Sequence, residues 1–128
     1  MKPELLNGAN LAFIGDAYFE LFIREYLINK QITNQKELHK CAVSFVSASA
    51  HHRIIQKLES ELTEEELAIF KRGRNHKYHL SRKNVKIDEY LSSSGFEALI
   101  GYLYLIKDLE RLLFILNRAI SIIEEKNE

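Results

Sequence analysis

The chain is poor in several things, and each shortage excludes something. It has one cysteine, Cys41, so no disulfide can form within it, which fits a reducing compartment. Its single proline, Pro3, precedes every periodic segment. It has no net charge: over 128 residues, 18 Lys and Arg balance 18 Asp and Glu. Any attraction to a polyanion must therefore come from where the charges lie, not from their sum. Long apolar runs are missing too; the longest, Ala98 to Ile106, is too short to cross a bilayer. The N-terminus has no cationic start followed by an apolar stretch and a small-residue cleavage site. These absences predict a soluble cytoplasmic protein with no membrane partner. With 46% hydrophobic and 28% charged residues the composition is globular. The length suits one domain, 1–128, with no linker, repeat or low-complexity segment.

What is present reads as helix throughout, and the fold class expected is all-α with about five helices or more. The first, from about Ala9 to Ile28, is apolar nearly all round, the pattern of a central buried helix. The second opens at Asn34 with Glu37 three residues on, a capping-box spacing. It sets Leu38, Cys41, Ala42, Phe45, Ala48, His52 and Ile55 on one face. A short third helix starts at Thr63, with Glu66 completing another box, and Gly73 is read as its end. Periodicity fails from Lys71 to Lys86. A fourth helix covers roughly Ser93 to Ile106, and a fifth follows Asp108 with a stripe of Leu109, Leu112, Leu113, Leu116, Ile120 and Ile123.

Two acids stand out against that pattern. Asp16 sits in "FIGDAYFEL" and Glu97 in "SGFEALIGYLYLI", each inside an apolar helix with no basic residue at the spacings that allow an intrahelical pair. A buried carboxylate normally neutralises or finds a cation, and two on neighbouring helices could share one. Gly15 beside Asp16 and Gly101 one turn after Glu97 each cost about 0.5–1 kcal/mol in a helix interior relative to alanine. That cost is repaid if the two helices approach closely there, with the small Ser93 and Ser94 on the Glu97 face. Three uses remain open for such a pair: ligands for Mg²⁺, the acid and base of glycoside hydrolysis, or internal ion pairs with tertiary Lys or Arg.

The segment 71–86, "KRGRNHKYHLSRKNVK", weighs between them. Seven of its sixteen residues are Lys or Arg and none is acidic. Phosphate contacts suit it, Arg being able to grip phosphate bidentately, while a sugar hydrolase has no evident need of it. A solvated charged face is the alternative. Paired acids beside a phosphate-binding segment favour metal-assisted phosphodiester hydrolysis. The histidines do not assemble into a transition-metal site by sequence: His51 and His52 are adjacent and point apart, and His76 and His79 lie among cations. Cys41 reads as a core residue.

These residues resemble a known family. "LAFIGDA" is similar to the signature helix of ribonuclease III, and "FEALIGYLYL" to that family's second active-site helix. "LHKCAVSFVSASA" and "FKRGRNHK" resemble the Mini-ribonuclease III branch, which keeps the catalytic domain and lacks the appended double-stranded-RNA-binding domain. The resemblance runs from about Leu6 to Ile120. It implies a homodimeric endonuclease that cuts double-stranded RNA in maturation of the large-subunit (23S) ribosomal RNA precursor and leaves 5′-phosphates. A ribosomal protein or precursor particle is implied as a further partner. It makes Asp16 and Glu97 the catalytic and metal-binding acids, for Mg²⁺ with Mn²⁺ as the alternative. Arg72, Arg74, Asn75, Lys77, Arg82 and Lys83 become the RNA contacts, and Phe13 the residue inserted into the partner subunit. Full-length members carry two further acids, where this chain has Ala12 and Ser94, a reduction the Mini branch shares. The runner-up is a non-catalytic RNA-binding or ribosome-assembly protein using the same basic segment, and after it a purely structural helical protein.

Overall fold

The computed structural model describes residues 1–75 and 86–125. Six α-helices make up the described part: α1 (Gly8–Asn29), α2 (Gln35–Val46), α3 (Ala48–Leu58), α4 (Glu64–Arg74), α5 (Ile87–Leu105) and α6 (Leu109–Glu124). Short 3₁₀ turns at Pro3–Leu5 and Glu59–Glu61 precede α1 and follow α3. No strand occurs among the described residues, and no helix there is long and apolar enough to cross a membrane.

Side chains start most of these helices. Asn7, Asn34, Ser47, Thr63 and Asp108 each accept a hydrogen bond from the backbone N–H three residues on, satisfying donors that the first turn leaves open. The reciprocal box closes at Thr63 and Glu66. At Asn34 it does not: the Glu37 carboxylate takes the Cys41 thiol at 3.9 Å instead.

The long second helix expected from the sequence is two. Ser47, extended at φ −69° and ψ 157°, ends α2 and caps α3. The break resets the helical phase, so the core face of α3 is Ala50, His51, Ile54, Ile55 and Leu58, and the buried histidine is His51 rather than His52. The central helix is also not α1. Only Leu11, Ala12, Gly15, Phe19, Ile23 and Leu27 of α1 are buried besides its first residue, while Phe13, Ala17 and Leu21 are exposed on another side. α5 takes the centre, buried almost continuously from Ser92 to Leu103 and packed against α1, α3, α4 and α6. It begins at Ile87, earlier than the apolar pattern suggested. Gly73 lies inside the last turn of α4, against Ser94 and Ala98 of α5, rather than beyond the helix end.

Candidate active site

The crossing of α1 and α5 places the two acids. A Cβ on Gly15 would overlap the backbone carbonyl of Glu97, and one on Gly101 would overlap the carbonyl of Leu11. Two glycines thus let the backbones touch, as Gly15 and Gly101 led us to expect, and Asp16 and Glu97 emerge at the contact. Their carboxyl groups are close enough for Asp16 to act on the protonation of Glu97.

Their surroundings differ from the sequence expectation in one respect. Asp16 is exposed, on the rim of the core; the Glu97 side chain, 18% exposed, is the half-buried member. Burial, then the facing Asp16 carboxyl and more distantly Glu20, push the Glu97 carboxyl up to about 9. Glu20, one turn beyond Asp16, is itself paired with Arg24 at 2.6 Å. No internal cation therefore neutralises Asp16 or Glu97 among the ion pairs of the described residues. His51 approaches closest, with Nδ1 3.9 Å from Glu97 Oε2. Burial lowers the imidazole to about 4, so near neutral pH it faces Glu97 uncharged. Nδ1 also lies 2.7 Å from Ser93 Oγ, and the neighbouring His52 Nδ1 lies 2.8 Å from Ser92 Oγ. The helix break at Ser47 had hidden the core position of His51 from sequence reasoning, while Ser93 was read only as a small residue on the Glu97 face.

The basic end of α4 packs on the same helix as Glu97. Gly73 rests on Ser94 and Ala98 of α5, and Arg72 and Arg74 lie to either side of it in the last turn of α4. Arg72 is partly committed, its Nη1 donating to the carbonyls of Glu4 and Leu6 at 3.0 and 2.9 Å. Arg74 stacks its guanidinium 5.6 Å from the Phe70 ring centre and donates to Asn75 Oδ1 at 3.3 Å. Asn75 ends α4 and is exposed. Lys77, Arg82 and Lys83, with His76 and His79, lie outside the described residues. Phe13, which the resemblance places in a partner subunit, is 79% exposed.

Carboxylates lacking a cation are hard oxygen ligands, and a divalent ion of the Mg²⁺ type takes one or two of them. The donor set fits such an ion. No group of three or more His, Cys, Asp or Glu converges among the described residues, so the candidate ligands are this pair of acids.

Known proteins share this chain's sequence pattern and fold. Residues 9–108 match the model of the ribonuclease III domain. The chain is 44% identical over 124 residues to Mini-ribonuclease 3 of Clostridium tetani, covering 96% of this chain and 82% of that one. It is 42% identical over 125 residues to Mini-ribonuclease 3 of Enterococcus faecalis, covering 96% and 95%. The X-ray structure of a Fusobacterium nucleatum protein superposes with a TM-score of 0.82 at 34% identity, covering 91% of this chain and 93% of that one.

Proposed function

The chain belongs to the ribonuclease III family and is an endoribonuclease, and from that premise we propose that Asp16 and Glu97 form its catalytic centre for metal-dependent cleavage of double-stranded RNA. The observation that carries this reading is the glycine crossing, which brings together two carboxyls with no cation partner among the described residues. The two acids would hold Mg²⁺, with Mn²⁺ as the alternative. Held by these two acids, such an ion would supply Lewis acidity to a water and to the phosphate oxygens, and the products expected carry 5′-phosphates.

The chain's own residues supply the rest. Asp16, exposed on the rim, can meet a phosphate that cannot enter the core, while Glu97 is fixed by α5. Arg74 and Asn75 hold the RNA backbone, Arg72 shares its donors with the turn before α1, and Lys77, Arg82 and Lys83 extend the same charged segment. A-form RNA is read largely by shape and 2′-hydroxyls, so a locally basic, overall neutral protein suffices. Phe13 and Leu21, 79% and 63% exposed and two helical turns apart on α1, form the core of a two-fold homodimer interface. That dimer would set two centres on opposite strands. The substrate fitting the relatives' branch is the 23S ribosomal RNA precursor, in the cytoplasm, with a ribosomal protein or precursor particle as partner.

The test is incubation with long double-stranded RNA in Mg²⁺, Mn²⁺ or EDTA, beside the Asp16→Asn and Glu97→Gln variants. Cutting by wild type that needs metal and both acids is expected. Near-wild-type cutting by either variant would remove it from the centre, and binding without cutting would favour a non-catalytic RNA-binding role.

A further inference from the structure

α3 approaches the acids through an unusual contact: two consecutive histidines meet two consecutive serines of α5. His52 makes its bond to Ser92 at the half-exposed edge of the helix pair, and His51 makes its bond to Ser93 inside. The inner ring is held on both sides. It is 1% exposed, with the Phe19 and Phe96 rings at centroid distances of 5.2 and 5.0 Å. Its Nδ1 is therefore a fixed point, and Ser93 and Glu97 stand around it, one turn apart on α5.

The surroundings choose the tautomer. His51 Nε2 is buried and has no hydrogen-bond partner among the described residues. A proton there would be a buried donor with no acceptor, and would leave the Nδ1 lone pair facing the Glu97 oxygen. A proton on Nδ1 instead donates to Ser93 Oγ at 2.7 Å and presents a positive N–H edge to Glu97 Oε2 at 3.9 Å. The second arrangement wins on both counts. At 3.9 Å the Glu97 contact is too long for a hydrogen bond, yet it is the nearest polar hydrogen that α3 offers the carboxylate.

In the ionised state that would receive a metal the two acids repel, and Glu97 has rotatable bonds by which to turn away from Asp16. We propose that His51, with Ser93, is a positioning residue that holds the Glu97 carboxylate toward Asp16 in the metal-receiving orientation. The inference rests on the metal reading of Asp16 and Glu97 given above. Groups that orient metal ligands in this way typically change affinity or activity by about 10–100-fold when removed.

The experiment measures Mn²⁺ binding to the full chain without RNA, by the loss of the free-ion electron paramagnetic resonance signal, alongside thermal melting in EDTA. His51→Phe fills the space but removes the N–H; Ser93→Ala removes its partner with minimal change of volume; His51→Asn restores an N–H near the Nδ1 position. His51→Phe and Ser93→Ala should each weaken Mn²⁺ binding about tenfold or more, with a matching rise in the metal concentration that half-activates cleavage. His51→Asn should recover most of the loss. His52→Ala, which cuts the outer clamp between the same helices, should lower the melting temperature without changing Mn²⁺ affinity. If His51→Phe does not fold, Ser93→Ala with the His52→Ala control decides alone. Wild-type Mn²⁺ affinity in the folded variants overturns the inference, as does an equal loss in His52→Ala. Failure of the wild type itself to bind Mn²⁺ is a separate result, which removes the metal reading and this role together.

Discussion

The molecule contains two acids set into its helical core, and they are treated in opposite ways. Glu66, 3% exposed, begins α4 with every demand met. Its carboxylate accepts from the Thr63 N–H at 2.9 Å and from Arg111 of α6 at 2.6 and 2.9 Å, and Arg111 also donates to the Glu61 carbonyl at 2.6 Å. Glu97 has more solvent than Glu66 and far fewer partners among the described residues: a second carboxyl, a neutral imidazole and no cation. The difference separates an acid that ties helices together from one kept ready for something the polypeptide does not supply. Burial alone would have ranked Glu66 first; the inventory of partners ranks Glu97 first.

The sharpest way to break this comparison is to neutralise each acid in turn. Glu97→Gln should reduce cleavage to background and leave the melting temperature in EDTA unchanged or higher, since the cost of holding a half-buried carboxyl protonated in the fold is removed. Asp16→Asn should match it in activity. Glu66→Ala should do the converse, lowering stability by about 3 kcal/mol because it strands Arg111, while Mn²⁺ affinity stays at the wild-type value. Denaturant unfolding of the same three proteins checks all of this. A clear loss of stability in Glu97→Gln would make Glu97 another structural acid.

pH sharpens it further. Below its ordinary value of 4.5 Glu97 is protonated in both the folded and unfolded chain and costs nothing. Between there and its folded value of about 9 the unfolded chain releases the proton and the folded one keeps it. Metal-free stability must therefore fall as pH rises through that window. The difference in melting temperature between wild type and Glu97→Gln should widen in favour of the variant across that range, and saturating Mn²⁺ should shrink it. A gap that stays flat with pH would remove the buried-carboxyl account.

The smallest effect concerns the cations. Arg111 is enclosed by acids, whereas Arg74 has an aromatic face and a side-chain amide. Alanine at Arg74 and Lys77 together should weaken binding across RNA sequences and reduce the slope of log affinity against log salt by roughly 1–2. An unchanged slope would make this segment a solvated face.

What could be read in the sequence was whatever depends on composition and on spacing within one unbroken helix. The all-α class and the Gly15–Gly101 crossing were of that kind. The phase of α3 was not, because Ser47 interrupts the helix with a residue that both helices use, and an uninterrupted 3.6-residue count carried His52 onto the core face in place of His51. The exposure of Asp16 was hidden for another reason. Phe13, Ala17 and Leu21 made α1 look buried on every side, whereas a single chain covers only one face of it. Glu66 was legible as a capping residue but not as a buried, paired acid, because its partner Arg111 lies on α6 and long-range pairs leave no periodic trace.

The glycine contact has a further consequence, for how activity is lost. Asp16 and Glu97 are not carried by a loop; each is anchored where two backbones rest against each other at the middle of the helical core. Fraying at the ends of α1 or α5 does not reach that point, so the pair cannot melt ahead of the domain. Heat inactivation should therefore coincide with the cooperative loss of helix, and no residue larger than glycine can be traded at the crossing for a gain elsewhere. The proposed catalytic pair and the domain share one lifetime.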